Sequence, residues 1–259
     1  MKLTITHKIS LLSSLLVALT AGAVAFAFYV NTSNTMAKHA LEDLSVHTRN
    51  EGEHFLGKIE EIIKDIHFLS NMPPIQELMR TNHSIVYDKN GGASQVQWEQ
   101  RLATIFSTLM HAHPDYMQVR FLDAQGYEQV RVERNQTGSI ENISNNHLQY
   151  KGDTDYVKQT TRLQKNKIYL SEINLNREHG KVMIPHTPVL RAATPVYNNS
   201  GKLFGIVIIN LNLKNEFKRL YHHHQQQGHT LYMMNDKGEF LIHPDKEKRF
   251  TFDLGNKHK

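Results

Sequence analysis

The chain contains no cysteine among its 259 residues. This absence excludes disulfide frameworks, thiolate zinc sites, iron–sulfur clusters and cysteine nucleophiles. The sequence also lacks the motifs G-x-S-x-G, H-E-x-x-H and G-x-x-x-x-G-K-S/T, which mark many hydrolases, zinc peptidases and nucleotide-binding enzymes. We therefore predict that this chain is not an enzyme and has no catalytic residue, metal site or cofactor.

Positive charge is not gathered in any one part of the sequence. The 30 Lys and Arg residues exceed the 25 Asp and Glu residues by five, and they are scattered along the whole chain. Nucleic-acid-binding surfaces normally show clustered basic residues, so we predict no nucleic-acid partner. The hydrophobic content of 39% is close to the average for globular proteins, and most of the chain is therefore expected to fold.

One stretch, residues 9–30, is long and free of charged side chains. About 20 apolar residues suffice for a helix to cross a bilayer. Lys2 and Lys8 precede the stretch and the next positive residue is Lys38, so the positive-inside rule places the N-terminus in the cytoplasm and the bulk of the chain outside. A cleaved signal peptide is the alternative, but its apolar region usually has only about 7–15 residues. We predict a single-pass membrane anchor.

Two helices are predicted after the anchor. Apolar residues recur every three or four positions between Ala37 and Leu69, which indicates a long amphipathic helix that ends before Pro73. Its weakly apolar first half suits a homodimer contact, and its isoleucine-rich second half suits burial against a core. After a polar stretch at residues 81–92, Ser94 is predicted to cap a second helix.

The period of the sequence then changes to two, which is typical of strands. Strand-like segments lie at residues 116–122, 129–134, 168–174, 189–195 and 203–213. The last of them is apolar on both faces and is predicted to lie in the centre of the sheet. Helices followed by a five-stranded, mostly antiparallel sheet predict an α+β fold. The long connection between the second and third of these strands is a candidate binding region.

The C-terminal part is predicted to begin a second lobe. Residues 213–228 have the composition of a polar helix or linker, which contains three consecutive histidines at 222–224. No carboxylate or cysteine accompanies these histidines, so we predict a solvated linker rather than a metal site. Residues 230–242 then repeat the strand–turn–strand design of residues 119–130.

These patterns divide the chain into four predicted segments. Residues 1–33 are the cytoplasmic tip and transmembrane anchor, and residues 34–72 are the long helix that emerges from the membrane. Residues 73–215 form a complete helix-plus-sheet lobe, and residues 216–259 form a linker and an incomplete second lobe. The second lobe is expected to be incomplete because a stable domain usually needs at least about 40–50 residues of its own.

A family likeness is carried by four segments, which are DYMQVRFLD at 115–123, YLSEINLNREHG at 169–180, PVLRAATPVY at 188–197 and GKLFG at 201–205. In this order, after a membrane anchor and a long helix, they resemble the extracytoplasmic double Cache (double PAS-like) sensor regions of bacterial transmembrane receptors. Such regions precede histidine kinases, diguanylate cyclases and chemoreceptors. The resemblance implies a PAS-like sheet lobe and a ligand sensor of the bacterial inner membrane, acting in two-component or cyclic-di-GMP signalling.

Two other functions remain compatible with the sequence. A lobe of this kind without a ligand would serve as a dimerising scaffold or a protein-interaction module at the membrane. A secreted enzyme is a third and weaker hypothesis, which would show turnover without any partner chain.

The resemblance also implies where a ligand binds. Receptors of this type hold a small ligand, often a carboxylate, between the sheet and its covering segments, where Arg and Tyr side chains can donate hydrogen bonds to it. The candidate ligand-binding residues are Arg120, Lys151, Asp155, Tyr156, Tyr169, Arg177, His186 and Arg191.

Two of these candidates rest on particular neighbours, and two others have a structural alternative. Lys151 is the nearest cation in the segment that corresponds to an Arg-x-Trp-Tyr type of motif in amino-acid-binding members of the wider superfamily. Arg191 precedes two alanines, which would leave room for a ligand. For Arg120 the alternative is an ordinary surface arginine, and for Arg177 it is a structural ion pair with Glu178.

Overall fold

The computed structural model describes residues 4–81 and 94–255. Helix α1, Ile5–Ser70, runs without a break through the apolar stretch and the amphipathic segment that follows it. In the two described ranges it is the one helix that is long and apolar enough to cross a membrane. The chain forms two compact units, Met1–Gly57 and Lys58–Lys259, and the sheet belongs to the second.

Two further helices precede the sheet. Helix α2, Pro73–Thr81, begins where the long helix was predicted to end, because proline is well tolerated at the first position of a helix. Helix α3, Gln95–Ala112, has the predicted cap. Ser94 Oγ accepts a hydrogen bond from the backbone N–H of Gln97 at 3.4 Å, and the Gln97 side chain accepts one from the backbone N–H of Ser94 at 2.9 Å. Of the predicted polar stretch, residues 82–92 lie outside the described part of the chain.

The second unit contains an antiparallel sheet of seven strands. The strands in the described part of this unit are β1 (Tyr116–Asp123), β2 (Glu128–Arg134), β3 (Ile140–Asn142), β4 (Tyr169–Leu170), β5 (Asn174–Leu175), β6 (Arg177–Glu178), β7 (Lys181–Val182), β8 (Pro188–Tyr197), β9 (Leu203–Asn212), β10 (Met233–Met234) and β11 (Phe240–Ile242). The order across the large sheet is β3-β2-β1-β9-β8-β4, and β5 also pairs with β8. The predicted α+β class and the central position of β9 are therefore confirmed.

The predicted number of five strands was wrong in two places. Strand β3 has three residues, which are too few for an alternating pattern to reveal it. The predicted strand at 168–174 is broken into β4 and β5, of two residues each. At the break, Ser171 Oγ accepts the hydrogen bond of the Arg191 backbone N–H at 2.9 Å. The side chain thus replaces a backbone carbonyl, and the regular ladder is interrupted.

Four hairpin turns share one design, in which an Asp or Asn is followed three residues later by Gly. In each turn the first side chain accepts hydrogen bonds from the backbone N–H groups two and four residues ahead, at 2.9–3.1 Å. The four first residues are Asp123, Asn135, Asn198 and Asn235. The glycine has a positive φ of 77–94° in every case, which an L side chain rarely adopts.

The two faces of the sheet carry different layers. Val119 and Phe121 are fully buried, and Phe121 lines one cavity together with Leu78 of α2 and Glu99 of α3. On the opposite face, a buried cluster is centred on Val157 of helix α4, Asp155–Thr160. The sheet residues of this cluster are Leu122, Ala193, Ile206 and Ile208. Side chains alternate along a strand, so Arg120 shares the α4 face.

The C-terminal part consists of helix α5, Lys214–Gln226, the small β10–β11 sheet and helix α6, Thr251–Leu254. The predicted polar helix and strand–turn–strand pattern are therefore present. The histidine run is not wholly solvated, because His224 is only 4% exposed. The helical period places His224 on the same buried face as Phe217 and Leu220.

Candidate functional site

A cavity of about 660 Å³ lies on the α4 face of the large sheet. Its floor is formed by polar residues of β1, β8 and β9, and it is covered by residues 148–156, which include the start of α4. One side is closed by the β6–β7 hairpin. A volume of this size suits a small ligand.

A row of polar side chains crosses the sheet beneath the cavity. The strand register places Arg191 opposite Asn210, Asn210 opposite Gln118 and Gln118 opposite Glu133. Asn210 Nδ2 donates to Gln118 Oε1 at 2.9 Å, and Gln118 Nε2 donates to Glu133 Oε2 at 3.2 Å. Four strands therefore present a continuous polar row on this face.

Arg120 lies in the next row, and it is not a surface residue, since only 2% of it is exposed. Its Nη1 is 3.3 Å from Oε1 of Glu128 and 3.3 Å from the hydroxyl of Tyr156. Its Nη2 donates to Asn210 Oδ1 at 2.9 Å, while Nε has no hydrogen-bond partner among the described residues. The alternative of an exposed arginine at this position is wrong, because a buried carboxylate compensates its charge.

Lys151 lines the cavity and forms an ion pair with Glu178, whose Oε2 is 3.2 Å from Nζ. Glu178 Oε1 also lies 3.3 Å from Arg131 Nη2 and accepts a hydrogen bond from Gln118 at 2.8 Å. Burial by itself would raise the pKa of Glu178, but Arg131, Gln118 and the nearby cations outweigh it and lower that pKa to about 2. This carboxylate is therefore ionised throughout the physiological pH range.

We expect Glu178 to make the stability of the fold sensitive to acid. Its pKa falls from 4.5 to about 2 on folding, so its contribution is complete above pH 4.5 and is lost as the pH drops towards 2. Allowing for solvent screening, the loss is about 1–2 kcal/mol. Denaturation curves between pH 6 and pH 2 should show a steeper fall for the wild type than for Glu178→Gln, and parallel curves would contradict this assignment.

Arg191 is buried without a carboxylate partner. It is 6% exposed, and its Nη1 donates to Asn174 Oδ1, a neutral acceptor, at 2.6 Å. Among the described residues no Asp or Glu oxygen lies within 4.0 Å of its guanidinium group. Burial lowers the pKa of Arg191, and the charge of Arg120 acts in the same direction. The guanidinium is thus a charged donor that the protein itself leaves without a counter-ion.

The buried charges beneath the cavity do not balance. The buried cations are Arg120, Arg131, Lys151 and Arg191. The carboxylates that meet them are Glu128, Glu133 and Glu178. Four positive charges against three negative ones leave one positive charge within this buried cluster, and the exposed Asp155 adds a negative charge at the edge of the cavity.

The positive charges beneath the cavity change the pKa of Tyr156. Burial would raise the pKa of its hydroxyl, but the charges of Arg120, Lys151 and Arg191 lower it below the usual value. The guanidinium carbons of Arg120 and Arg191 lie 5.6 and 5.4 Å from the centre of its ring. At the edge of the cavity, the hydroxyl of Tyr169 donates to Asp155 Oδ2 at 3.2 Å.

The segment that covers the cavity is fixed to the β1–β2 turn. The backbone N–H of Lys151 donates to the carbonyl of Gly126 at 2.8 Å, and that of Glu128 donates to the carbonyl of Gln149 at 3.0 Å. The pairing places Gly126 directly against Gly152, where neither residue has room for a Cβ atom. Lys151 and Tyr156 thus depend on this close backbone contact for their position.

Arg177 and His186 occupy different places from the other candidates. Arg177 lines the cavity but pairs with Asp253, whose Oδ1 lies 2.9 Å from Nη2, and not with Glu178. The alternative of an ion pair between Arg177 and Glu178 is wrong, because adjacent strand residues point to opposite faces. Asp253 Oδ2 also accepts the backbone N–H of Leu175 at 2.5 Å. His186 lies outside the cavity and lines a separate cleft.

The structure therefore brings together six of the eight predicted residues. Those that line the cavity are Arg120, Lys151, Asp155, Tyr156, Arg177 and Arg191. Tyr169 reaches it through Asp155, and His186 does not. Three further lining residues, Gln118, Asn174 and Asn210, were not predicted. Each is a polar residue between two apolar ones in the sequence, and this was the signal that could have found them.

Comparison with known proteins agrees with this architecture. A family model described as bacterial histidine kinase, sensor domain, matches residues 67–259. A domain of a sensory box/GGDEF family protein from Vibrio parahaemolyticus superposes with a TM-score of 0.64 at 22% identity, over 85% of this chain and 78% of that one. The extracellular domain of the histidine kinase vpHK1S-Z8 also has a TM-score of 0.64 at 22% identity, over 88% and 77%. A search of curated proteins finds no match.

The two solved structures establish the fold, and the family match covers most of the second compact unit together with the last residues of α1. The resemblance seen in the sequence, to the sensor regions of bacterial receptors, is confirmed. The chain belongs to the family of bacterial histidine kinase sensor domains.

Proposed function

We propose that the cavity beneath residues 148–156 is the ligand site of this sensor, and that it binds a small molecule with a carboxylate group. Binding rather than turnover is the proposed role of this chain. In this proposal Arg191 donates hydrogen bonds to the carboxylate, and Tyr156 and Lys151 complete the site. Asp155 and Tyr169 lie at the edge of the cavity, where they would contact the other end of the ligand.

The observation that supports this proposal best is the state of Arg191. A buried charge without a partner is costly, and proteins normally pair such a group or leave it in water. Among the described residues, Asn174 is the one acceptor for its guanidinium group, so donors remain for a ligand. The excess of one positive charge in the cluster favours an anion over a neutral ligand.

The test compares the wild type with Arg191→Gln. The full chain in lipid nanodiscs is screened against mono- and dicarboxylates and amino acids, and a ligand is recognised by a saturable rise in Tm. We expect Arg191→Gln to weaken the binding of that ligand about 10- to 100-fold, because hydrogen bonds to a charged group contribute a binding free energy of this size. The Tm without ligand should not fall, because the substitution removes an uncompensated buried charge.

Arg162→Gln is the matched control, since Arg162 is an exposed arginine outside the cavity. This variant should bind the ligand as the wild type does. Unchanged affinity of Arg191→Gln would refute the role of Arg191. The absence of any Tm shift across the library would favour the second candidate, a ligand-free dimerising scaffold.

The membrane arrangement is also a proposal. We infer that residues 1–33 form the cytoplasmic tip and a single-pass anchor in the bacterial inner membrane, and that residues 34–72, 73–215 and 216–259 lie outside as the emergent helix, the sensing lobe and the start of a second lobe. Exposed apolar side chains on α1 beyond the anchor, such as Leu41 and Leu56, support a homodimer through this helix. Native mass spectrometry of the same nanodiscs is expected to show two chains.

A further inference from the structure

A second cleft, of about 590 Å³, lies between α5 and the segment that runs from β11 to α6. It shares no lining residue with the proposed ligand cavity. Its apolar lining includes the buried side chains of Phe217, Leu241, Ile242 and Phe250. The more exposed Tyr221 and Leu254 extend this apolar surface towards the solvent.

Positive charges surround this apolar surface without negative ones. The lining includes Lys214, Lys218, Lys246 and Arg249 and contains no Asp or Glu. The three lysines are exposed, and among the described residues no carboxylate oxygen lies within 4.0 Å of their Nζ atoms. Arg249 donates through Nε to the carbonyl of His243 at 2.6 Å, and its guanidinium carbon lies 5.1 Å from the centre of the Tyr221 ring.

Two acids of this region are engaged elsewhere. Glu216 lies 3.5 Å from Lys58 and 2.7 Å from Arg219, and neither of these cations lines the cleft. Asp253 is held by Arg177, as described above. Among the described residues, none of the four cations on the lining therefore forms an ion pair with a carboxylate.

We propose that this cleft binds a free long-chain carboxylate. The apolar residues would bury the alkyl chain, and the lysines would pair with the head group at the rim. Neither a small inorganic anion nor a neutral apolar molecule would use both features. The volume lies in the range of small-molecule sites, which is about 300–1,000 Å³.

Photolabelling of the full chain in nanodiscs tests this proposal. A dodecanoate with a diazirine in its chain is crosslinked by light, and the labelled peptides are identified by mass spectrometry. Saturable labelling is expected within residues 214–226 and 240–254. Unlabelled dodecanoate should compete, and each methylene removed from the competitor should weaken competition about fourfold. Methyl dodecanoate, which lacks the charge, should compete poorly.

Two variants separate the head-group contacts from the chain contacts. The double variant Lys218→Gln with Lys246→Gln should weaken binding about threefold to thirtyfold, because two exposed ion pairs are lost. Leu254→Gln should weaken binding because it removes an apolar contact with the alkyl chain of the ligand. Leu254 is exposed enough for the fold to tolerate the change. Lys167→Gln is the control, since Lys167 is an exposed lysine at the other end of β8.

Several outcomes would overturn the proposal. Labelling confined to residues 9–30 would mean that the probe merely entered the membrane. Equal competition by hexanoate and dodecanoate would rule out burial of the chain. Loss of labelling when phosphatidylglycerol is added to the nanodisc would assign the cleft to a membrane lipid. The labelling is measured without any ligand of the first cavity, so the result is independent of the function proposed for that cavity.

Discussion

Replacing Glu128 with glutamine is expected to lower the free energy of unfolding by about 3–5 kcal/mol, the usual cost of removing one partner from a buried ion pair. The side chain of Glu128 is completely buried. Its Oε1 lies 3.3 Å from Arg120 and its Oε2 3.6 Å from Arg131, and Oε2 also accepts the backbone N–H of Gln149 at 3.0 Å. An amide at this place leaves the buried guanidinium group of Arg120 without a carboxylate partner among the described residues, while Arg131 keeps Glu133 and Glu178.

The strand register shows why the carboxylate is needed. Arg120 of β1 stands directly opposite Arg131 of β2, and like charges in this position repel each other. A β-bulge between Phe121 and Leu122 shifts the register, so that Glu128 pairs with Leu122 and reaches the face that carries both arginines. The bulge thus brings the compensating charge to the place where the repulsion would otherwise be greatest.

Thermal denaturation of the full chain measures this effect, and a loss of 3–5 kcal/mol corresponds to a Tm lower by roughly 6–20 °C for a domain of this size. Glu141→Gln is the matched control, because Glu141 is an exposed glutamate on β3 and should change stability by less than about 0.5 kcal/mol. Adding Arg120→Met to Glu128→Gln should restore part of the loss, since it removes one unpaired charge. A loss below about 1 kcal/mol for Glu128→Gln would show that the cluster does not need this charge.

The second large effect is expected from Gly126→Ala, compared with Gly138→Ala. Both glycines follow an Asp or Asn in the shared turn design, with φ values of 94° and 91°. A Cβ atom on Gly138 meets no other atom within 4 Å, whereas one on Gly126 would lie 2.4 Å from the Cα of Gly152. The two substitutions therefore share the conformational cost and differ in the steric one.

Gly138→Ala should cost about 1–2 kcal/mol, the penalty of a left-handed backbone. Gly126→Ala should cost about 1–3 kcal/mol more, because the backbone of the covering segment must move away. The same movement displaces Lys151 and Tyr156, so the affinity for the ligand of the cavity should fall for Gly126→Ala alone. Equal Tm values for the two variants, or equal ligand affinities, would contradict the role of this contact.

The parts of the fold that were predictable are those whose cause is local. The Asp or Asn with a Gly three residues later specifies a turn by itself, and the apolar runs of β8 and β9 indicate buried strands without reference to their neighbours. Ser94 caps α3 through Gln97, three residues away. Very short strands such as β3 are formed by pairing with a longer strand, and their own residues contain no such signal.

The charged cluster could be predicted only in part for the same reason. Arg120 and Arg191 could be recognised from the sequence as cations in strands. Whether each of them has a carboxylate partner depends on residues far along the chain. Glu128 compensates Arg120 only because a bulge turns it to the same face, and an alternating pattern would have placed it with Val130 on the helix side. That Arg191 has no carboxylate follows from the packing of β5 and β8, where Asn174 is the acceptor.

The ion pair between Arg177 and Asp253 joins the wall of the cavity to α6, 76 residues away in sequence. A carboxylate in the cavity and Asp253 would be alternative partners for one guanidinium group. Ligand binding would then change the free energy of the C-terminal segment. The hydrogen bond from the backbone N–H of Leu175 to Asp253 would be affected together with the ion pair. Such coupling is reciprocal: any partner that draws Asp253 away would tighten ligand binding by the same factor by which the ligand favours that partner.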